Sequence, residues 1–321
     1  LIYTESSESY GITHIGNMLI ITTGKGIRYL KYEDIYKDIG SKPPIPNVRF
    51  EVTSLTQIAE NDLSVALSPY VPISSLPAPL GPENETNVSN AINGGFLKVY
   101  DKIKKSKRFV FPVLVRYAYK MYDGSYMYQS CPVYIESSHI PVMFNVDYST
   151  VRLGTSTTTE GVSAKSMVFS TALGSYILKM NITHPNQSAI EAWKEIVTGI
   201  DVFVSPQFEW VDFNKKYTHI VDNSIFVGLV HHAIELEKYT QEEINKKIET
   251  QGIFYKTLSI GLTSGEYTIY PVDDISGKDT LPDDEFSHVE SIPGTVYSYN
   301  GRLHTAAIKA KLFKGHDINH F

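Results

Sequence analysis

Apolar and polar positions alternate in short runs at both ends of the chain, and turn residues cut those runs at close intervals. Near the start, Tyr10-Gly11-Ile12-Thr13-His14-Ile15-Gly16-Asn17-Met18-Leu19-Ile20-Ile21-Thr22-Thr23 passes through Gly24-Lys25-Gly26 into Ile27-Arg28-Tyr29-Leu30-Lys31-Tyr32, then Ile35 to Ile39. This pattern predicts four short strands, closed by Lys42-Pro43-Pro44-Ile45-Pro46, which cannot lie inside a central strand. Near the end, Gly294-Thr295-Val296-Tyr297-Ser298-Tyr299 breaks at Asn300-Gly301 and resumes as Arg302-Leu303-His304-Thr305-Ala306-Ala307-Ile308. An Asn-Gly pair between alternating apolar positions predicts a tight hairpin. Neither end has enough strands to bury both of its faces, so the two are expected side by side in one propeller-blade-like β unit.

The middle reads differently. Residues 51–85 carry strand and loop signals punctuated by Pro69, Pro72, Pro77, Pro79 and Pro82, as in a connector or edge element. From Asn87 to about Lys105 the apolar residues Val88, Ala91, Ile92, Phe96, Leu97, Val99, Tyr100 and Ile103 recur at helical spacing, although Gly94-Gly95 weakens the centre. The run from Phe109 to Tyr122, followed by Asp123-Gly124 and Ser125-Tyr126-Met127-Tyr128-Gln129-Ser130, is the strongest hairpin signal in the chain. Further strands are predicted at 142–146, 166–170, 174–182 and 200–205, with a short helix at 187–197. Thr240 followed by Glu243 predicts a capping box opening an exposed amphipathic helix over 241–249. The fold class expected is mainly β. Residues 1–85 and 216–321 form a split, propeller-like unit, 86–106 a helical connector, and 107–215 an inserted immunoglobulin- or fibronectin-like sandwich with Thr155-Ser156-Thr157-Thr158-Thr159 as an exposed loop.

Composition narrows the function classes. The 321 residues suffice for two domains, and 42% hydrophobic with 20% charged residues is the profile of an ordered protein. The 22 tyrosines suit sheet faces and subunit interfaces, where a ring is buried and a hydroxyl stays wet. A net charge of −6 argues against binding nucleic acid through its phosphates. Cys131 is the sole cysteine, so an internal disulfide and a cysteine-based zinc site are excluded. No stretch approaches the roughly 18 apolar residues of a membrane span. The chain opens on Leu1 and closes on Asp317-Ile318-Asn319-His320-Phe321, and both ends are expected to be cut points in a longer protein.

Candidate chemistry is sparse. On a helix, His231 and Glu235 would share a face beside His232 and Glu237, a metal-like set, but Phe226-Val227-Gly228-Leu229-Val230 reads equally well as a strand entering a loop. The acidic stretch Asp273, Asp274, Asp279, Asp283 and Asp284 lacks the order of a calcium loop and reads as solvated. Glu209 and Asp212 beside Trp210 offer a carboxylate pair for glycoside cleavage, against Trp210 packing at a sandwich edge. The basic run from Lys102 to Arg108 reads as a helix end. The Asn-x-Ser/Thr sequences at Asn84, Asn87, Asn181 and Asn186 read as chance composition. Nucleotide-binding, serine-hydrolase and zincin strings are absent, and no cofactor is expected.

At Arg116-Tyr117-Ala118-Tyr119 with Gly124-Ser125-Tyr126, at Ile200-Asp201-Val202-Phe203-Val204-Ser205-Pro206, at Tyr299-Asn300-Gly301-Arg302-Leu303, and at Ile15 to Ile20 with Gly26 to Tyr29, the chain resembles tail nozzle or muzzle proteins of short-tailed, crAss-like bacteriophages and related prophages of Bacteroidota. That resemblance implies a non-enzymatic virion protein, made in the bacterial cytoplasm. It would self-associate into a ring with neighbouring tail proteins around a channel that DNA passes without sequence-specific binding. Nozzle proteins are usually much longer, so this chain would be a fragment or a shortened relative. The alternative is a carbohydrate-binding or adhesion module at the bacterial surface, presenting Tyr126, Tyr128 and Trp210 to glycans.

Overall fold

Turn chemistry builds the N-terminal sheet. In the computed structural model, which describes residues 9–66, 94, 97–137, 143–152, 162–209, 220–226, 229–234, 239–272, 279–282 and 290–311, the strands β1 (Ser9–Ile15), β2 (Met18–Thr23), β3 (Gly26–Glu33) and β4 (Ile35–Gly40) form an antiparallel meander in sequence order. Gly16, at φ 52°, occupies the first position of the two-residue turn between Ile15 and Met18, where a side chain would be strained. At the other end of the chain β18 (Thr295–Tyr299) and β19 (Arg302–Ala306) pair across Asn300-Gly301, both left-handed at φ 51° and 72°, as the Asn-Gly signal predicts. The meander and this hairpin touch. A Cβ on Gly11 would lie 3.0 Å from the Val296 amide nitrogen, so β1 and β18 approach closely only because that position is glycine.

Two larger sheets carry the rest. One has the order β12 (Ile220–Phe226), β13 (Leu229–Ile234), β9 (Met143–Arg152), β10 (Val162–Thr183) and β15 (Gly265–Ile269), with β5 (Asn47–Ala66) on the other side of β10. The other runs β16 (Thr280–Pro282), β14 (Ile253–Ile260), β11 (Val197–Val204), β6 (Val113–Met121) and β7 (Tyr126–Gln129), with β8 (Val133–Ile135) also on β6. The short β17 (Glu290–Ile292) and β20 (Lys309–Lys311) make a further pair.

The segment 107–215 does not make its sheets alone. Its strand β10 pairs with β5 and β15, and its β11 pairs with β14, so both sheets recruit strands from outside the boundaries expected for an inserted sandwich. The reason is the core. Val113, Val115, Tyr117 and Tyr119 of β6, Ile200, Val202 and Val204 of β11, and Tyr176, Leu178, Met180 and Ile182 of β10 pack with Met18, Ile20 and Tyr29 of the meander into one cluster, and Leu303 of β19 reaches it too. Tyr29 lies against Trp193 with ring centroids 4.9 Å apart. The opposite face of β6 and β11 packs Leu114, Ala118 and Phe203 against Phe208, Phe254 and Leu281. Both faces of this strand pair are covered, which is why β6 reads as a continuous apolar run.

Among the described residues three helices punctuate the sheets. The first, α1 (residues 97–105), buries Val99, Tyr100 and Ile103. It ends where Lys107 turns left-handed at φ 54° and the Arg108 amide donates to the Ile103 carbonyl, a Schellman-type stop. The predicted helix over 187–197 is shorter, α2 (Gln187–Ala192), because the chain must turn into β11 at Val197; Asn186 caps it. The third, α3 (Gln241–Glu249), has the Thr240–Glu243 capping box and bounds the sequence predicts. The strands expected at 166–170 and 174–182 are one strand, β10. The register against β5 shifts between Leu173 and Ser175, so Gly174 marks a bulge and not a break.

Candidate assembly surface

The longest uncovered backbone belongs to β5. Its 20 residues pair with β10 along their whole length, and among the described residues they have no partner on the other side. Strands of globular proteins average about 5–6 residues. At about 3.3 Å per residue, the 20-residue β5 and the 22-residue β10 run roughly 65–75 Å. The outer face of their body-proximal part is polar: Asn181 donates to Glu51, and Lys179 pairs with Glu266 on β15 at 2.6 Å. The inner face carries Val48 and Phe50 to the main core. Burial of Val48 and Phe50 therefore fixes the body-proximal part of this strand, while the edge of β5 keeps a ladder of backbone groups for a further strand.

A second exposed feature is the tip of the β18–β19 hairpin. Tyr297 and Tyr299 are 52% and 70% exposed, and His304 stacks on Tyr297 at 5.1 Å. The tip is held in place, since the Tyr122 hydroxyl donates to the Gly301 carbonyl at 2.6 Å. Ordered, exposed tyrosines on a tethered turn are the residue type and rigidity found at interfaces.

The tyrosine platform expected on β7 does not form. Between Ala118↔Gln129 and Lys120↔Tyr126 the β7 strand carries one extra residue, and this bulge separates the two rings. Tyr126 goes to the smaller core, edge-on to Phe203 at 5.3 Å, whereas Tyr128 packs on Tyr117 and Tyr119 beside the main core. Burial, with Tyr128 alongside, pushes the Tyr117 hydroxyl up to about 12. Trp210 lies outside the described residues, as do Asp212 and Glu235.

Tyr126 instead belongs to a polar network centred on Asp201, 1% exposed in the middle of β11. The Tyr126 hydroxyl donates to one Asp201 oxygen at 2.9 Å and the Ser259 hydroxyl to the other at 2.6 Å, with the Lys256 ammonium 3.8 Å away. Lys256 also pairs with Asp279. Burial and the bond to Asp201 raise the Tyr126 hydroxyl well above its ordinary range, and the Asp279 carboxylate raises Lys256. Every oxygen of the buried carboxylate thus has a donor, and the network locks β7, β11 and β14 in register. Its signal in the sequence is a single charged residue inside the apolar run from Ile200 to Val204.

The other sequence candidates stay apart. His231 and His232 lie in strand β13, paired with Asp147 and Val146 of β9, so the helical spacing that a His231–Glu235 metal face needs is not formed. Among the described residues no three His, Cys, Asp or Glu side chains converge as a metal set, and no helix is long and apolar enough to cross a membrane. Glu209 is exposed, and its carbonyl accepts from Lys247. Asp273, Asp274, Asp283 and Asp284 lie outside the described residues. In the basic run, Lys104 sits over the Tyr100 ring at 4.6 Å and Lys107 over Tyr270 at 5.6 Å, as solvated cations at a helix end do. No known protein family matches this chain, and no curated protein is significantly similar to it.

Proposed function

We propose that this chain is a non-enzymatic structural protein of a phage tail or prophage particle, a nozzle- or muzzle-like component of a ring around the DNA exit channel. The observation that carries it is the 20-residue edge of β5, with one neighbour among the described residues. An edge of that length is an aggregation hazard in a free monomer and a docking strip in an assembly, where the next subunit or an adjacent tail protein covers it. The four-stranded β1–β4 meander supports the propeller side of the reading, because one blade-like sheet gains stability from neighbours. The tethered Tyr297–Tyr299 tip supplies a second contact. A net charge of −6 suits a channel that DNA must slip through, since a strongly basic lining would hold the phosphates. The protein then belongs in the virion tail.

The experiment is light scattering coupled to size exclusion, with negative-stain imaging of the eluted peak. Rings or a discrete higher oligomer are expected. A compact monomer that persists as protein concentration is raised to the millimolar range would overturn the proposal.

A further inference from the structure

An open cleft of about 630 Å³ lies between the edge strand β8, the segment following β11, and helix α3. Its floor is apolar. Phe208 is buried there, and Ile244 and Ile248, one turn apart on α3, are only half covered, so the helix leaves its one apolar stripe facing the gap. Its rim is polar and pre-arranged. The Tyr134 hydroxyl donates to one oxygen of Glu136 at 2.9 Å, which leaves the other carboxylate oxygen to accept. The Gln241 amide donates to the Asn245 side-chain oxygen at 3.0 Å, which leaves the Gln241 oxygen as an acceptor and the Asn245 amide as a donor. Tyr239 closes the rim, its ring covered by the Lys247 ammonium at 3.5 Å.

Planar acceptors and donors over an apolar floor fit one class of ligand well. A pyranose ring presents hydroxyls at its edge, each both donor and acceptor, and C–H groups on its face. The volume falls within the roughly 300–1,000 Å³ of small-ligand sites, room for a short chain of such rings. Glu136 on the rim and the chain's negative balance disfavour phosphate-bearing ligands. Among the described residues the rim has one carboxylate, where hydrolysis of a glycosidic bond requires two, so the chemistry we infer is recognition.

We propose that this cleft binds a neutral oligosaccharide of two or three pyranose units, held by Glu136, Gln241 and Asn245 over Phe208, Ile244 and Ile248. The site includes neither Tyr126 nor Tyr128, and it does not depend on the chain forming a ring. The test is saturation-transfer NMR on the full chain with maltotriose, cellotriose and triacetylchitotriose, adenosine as the non-sugar control, and a glycan array for wider coverage. Transfer to at least one saccharide is expected. Asn245→Ala and Tyr134→Phe, exposed positions whose melting temperatures should stay near wild type, should each weaken binding about tenfold, the first by losing a hydrogen bond to the sugar and the second by freeing Glu136 from the hydroxyl that orients it. Transfer to adenosine alone, silence across the trisaccharides and the array, or binding that neither substitution changes would overturn the proposal.

Discussion

Replacing Gly199 by alanine places a methyl group 2.4 Å from the Ile260 carbonyl oxygen, well inside the 3.0 Å below which real Cβ atoms essentially never approach. The clash is between two backbones, because Gly199 is in β11 and Ile260 in the paired strand β14, so no side chain can swing away. Relief requires the two strands to part beside the Ile200↔Ile260 pair. Overpacking of this kind costs about 1–3 kcal/mol, and a lost ladder bond adds about 1 kcal/mol. Loss of glycine's freedom in the unfolded chain offsets roughly 0.4–1 kcal/mol, leaving a net loss of about 2–3 kcal/mol. Gly261, two residues from the clash site's neighbour Ser259, is the matched control: a Cβ there meets nothing within 4 Å and its backbone is not left-handed. Gly261→Ala should therefore gain the unfolded-state term alone. In urea melts followed by circular dichroism, the two variants should differ by about 3 kcal/mol, with Gly199→Ala melting roughly 3–5 °C below wild type. Equal midpoints within about 0.5 kcal/mol, or a Gly199→Ala protein as stable as wild type, would refute the close approach of β11 and β14.

Tyr126→Phe removes a donor from the buried Asp201 carboxylate while keeping the ring on Phe203, and should cost about 1.5–3 kcal/mol; a double-mutant cycle with Asp201→Asn that gives no coupling energy would rule the network out. Lys107→Gly relieves a left-handed non-glycine residue at the end of α1 and should stabilise by about 0.5–1 kcal/mol, less the small contact with Tyr270, whereas a loss would show that the Schellman stop is wrongly placed. His184 is buried with neither ring nitrogen hydrogen-bonded, and burial holds its pKa below the ordinary value. The unfolded chain therefore takes up that proton first. Stability should fall as pH drops below about 6.5, the ordinary histidine value, down to the folded-state pKa. His184→Phe should flatten that decline between pH 7 and 5, and an unchanged slope would count against it. Thr53→Lys puts a charge on the exposed outer part of β5, and should leave the melt within about 0.5 kcal/mol while shifting sedimentation toward smaller species; an unchanged sedimentation profile would remove β5 from the assembly surface.

Legibility tracked how local each signal is. The Asn300-Gly301 turn and the Thr240–Glu243 capping box are written in two to four adjacent residues, because a left-handed φ or an orphan amide is satisfied on the spot, and both appear where the sequence puts them. Helix ends were legible to within a turn for α3 but not for α2, whose last predicted residues are drawn into β11 by the main core. Strand partnership was not legible. The sequence says that residues 174–182 form a strand, but not that it continues back through Gly174 to Val162, since a glycine that ends one strand can mark a bulge in another. Nor does it say that β5 and β15 lie on either side of β10. Those choices depend on residues more than eighty positions away. For this reason the sandwich expected at 107–215 dissolves into sheets shared with the rest of the chain.

One geometric cause sends the two candidate tyrosines of β7 to different places. Tyr126 and Tyr128 stand two apart, and in an unbroken strand they would share a face, as a sugar platform requires. One extra residue in β7 sends Tyr126 to Asp201 and Tyr128 to Tyr117 and Tyr119, converting an apparent surface pair into two separate pins for the cores on either side of β6. Aromatic residues fixed in this way leave adhesion to other surfaces, and the two most exposed tyrosines among the described residues, Tyr297 and Tyr299, sit on a hairpin anchored by Tyr122 beside the strands of the N-terminal meander. The β1–β4 meander and the β18–β19 hairpin therefore pack together at one edge of the body. A rigid edge bearing exposed rings and an open 20-residue strand elsewhere on the body gives two different surfaces, which is what a head-to-tail contact needs and a self-complementary two-fold contact does not. Under the proposed function, such a head-to-tail contact makes a ring where its rotation closes and a filament where it does not.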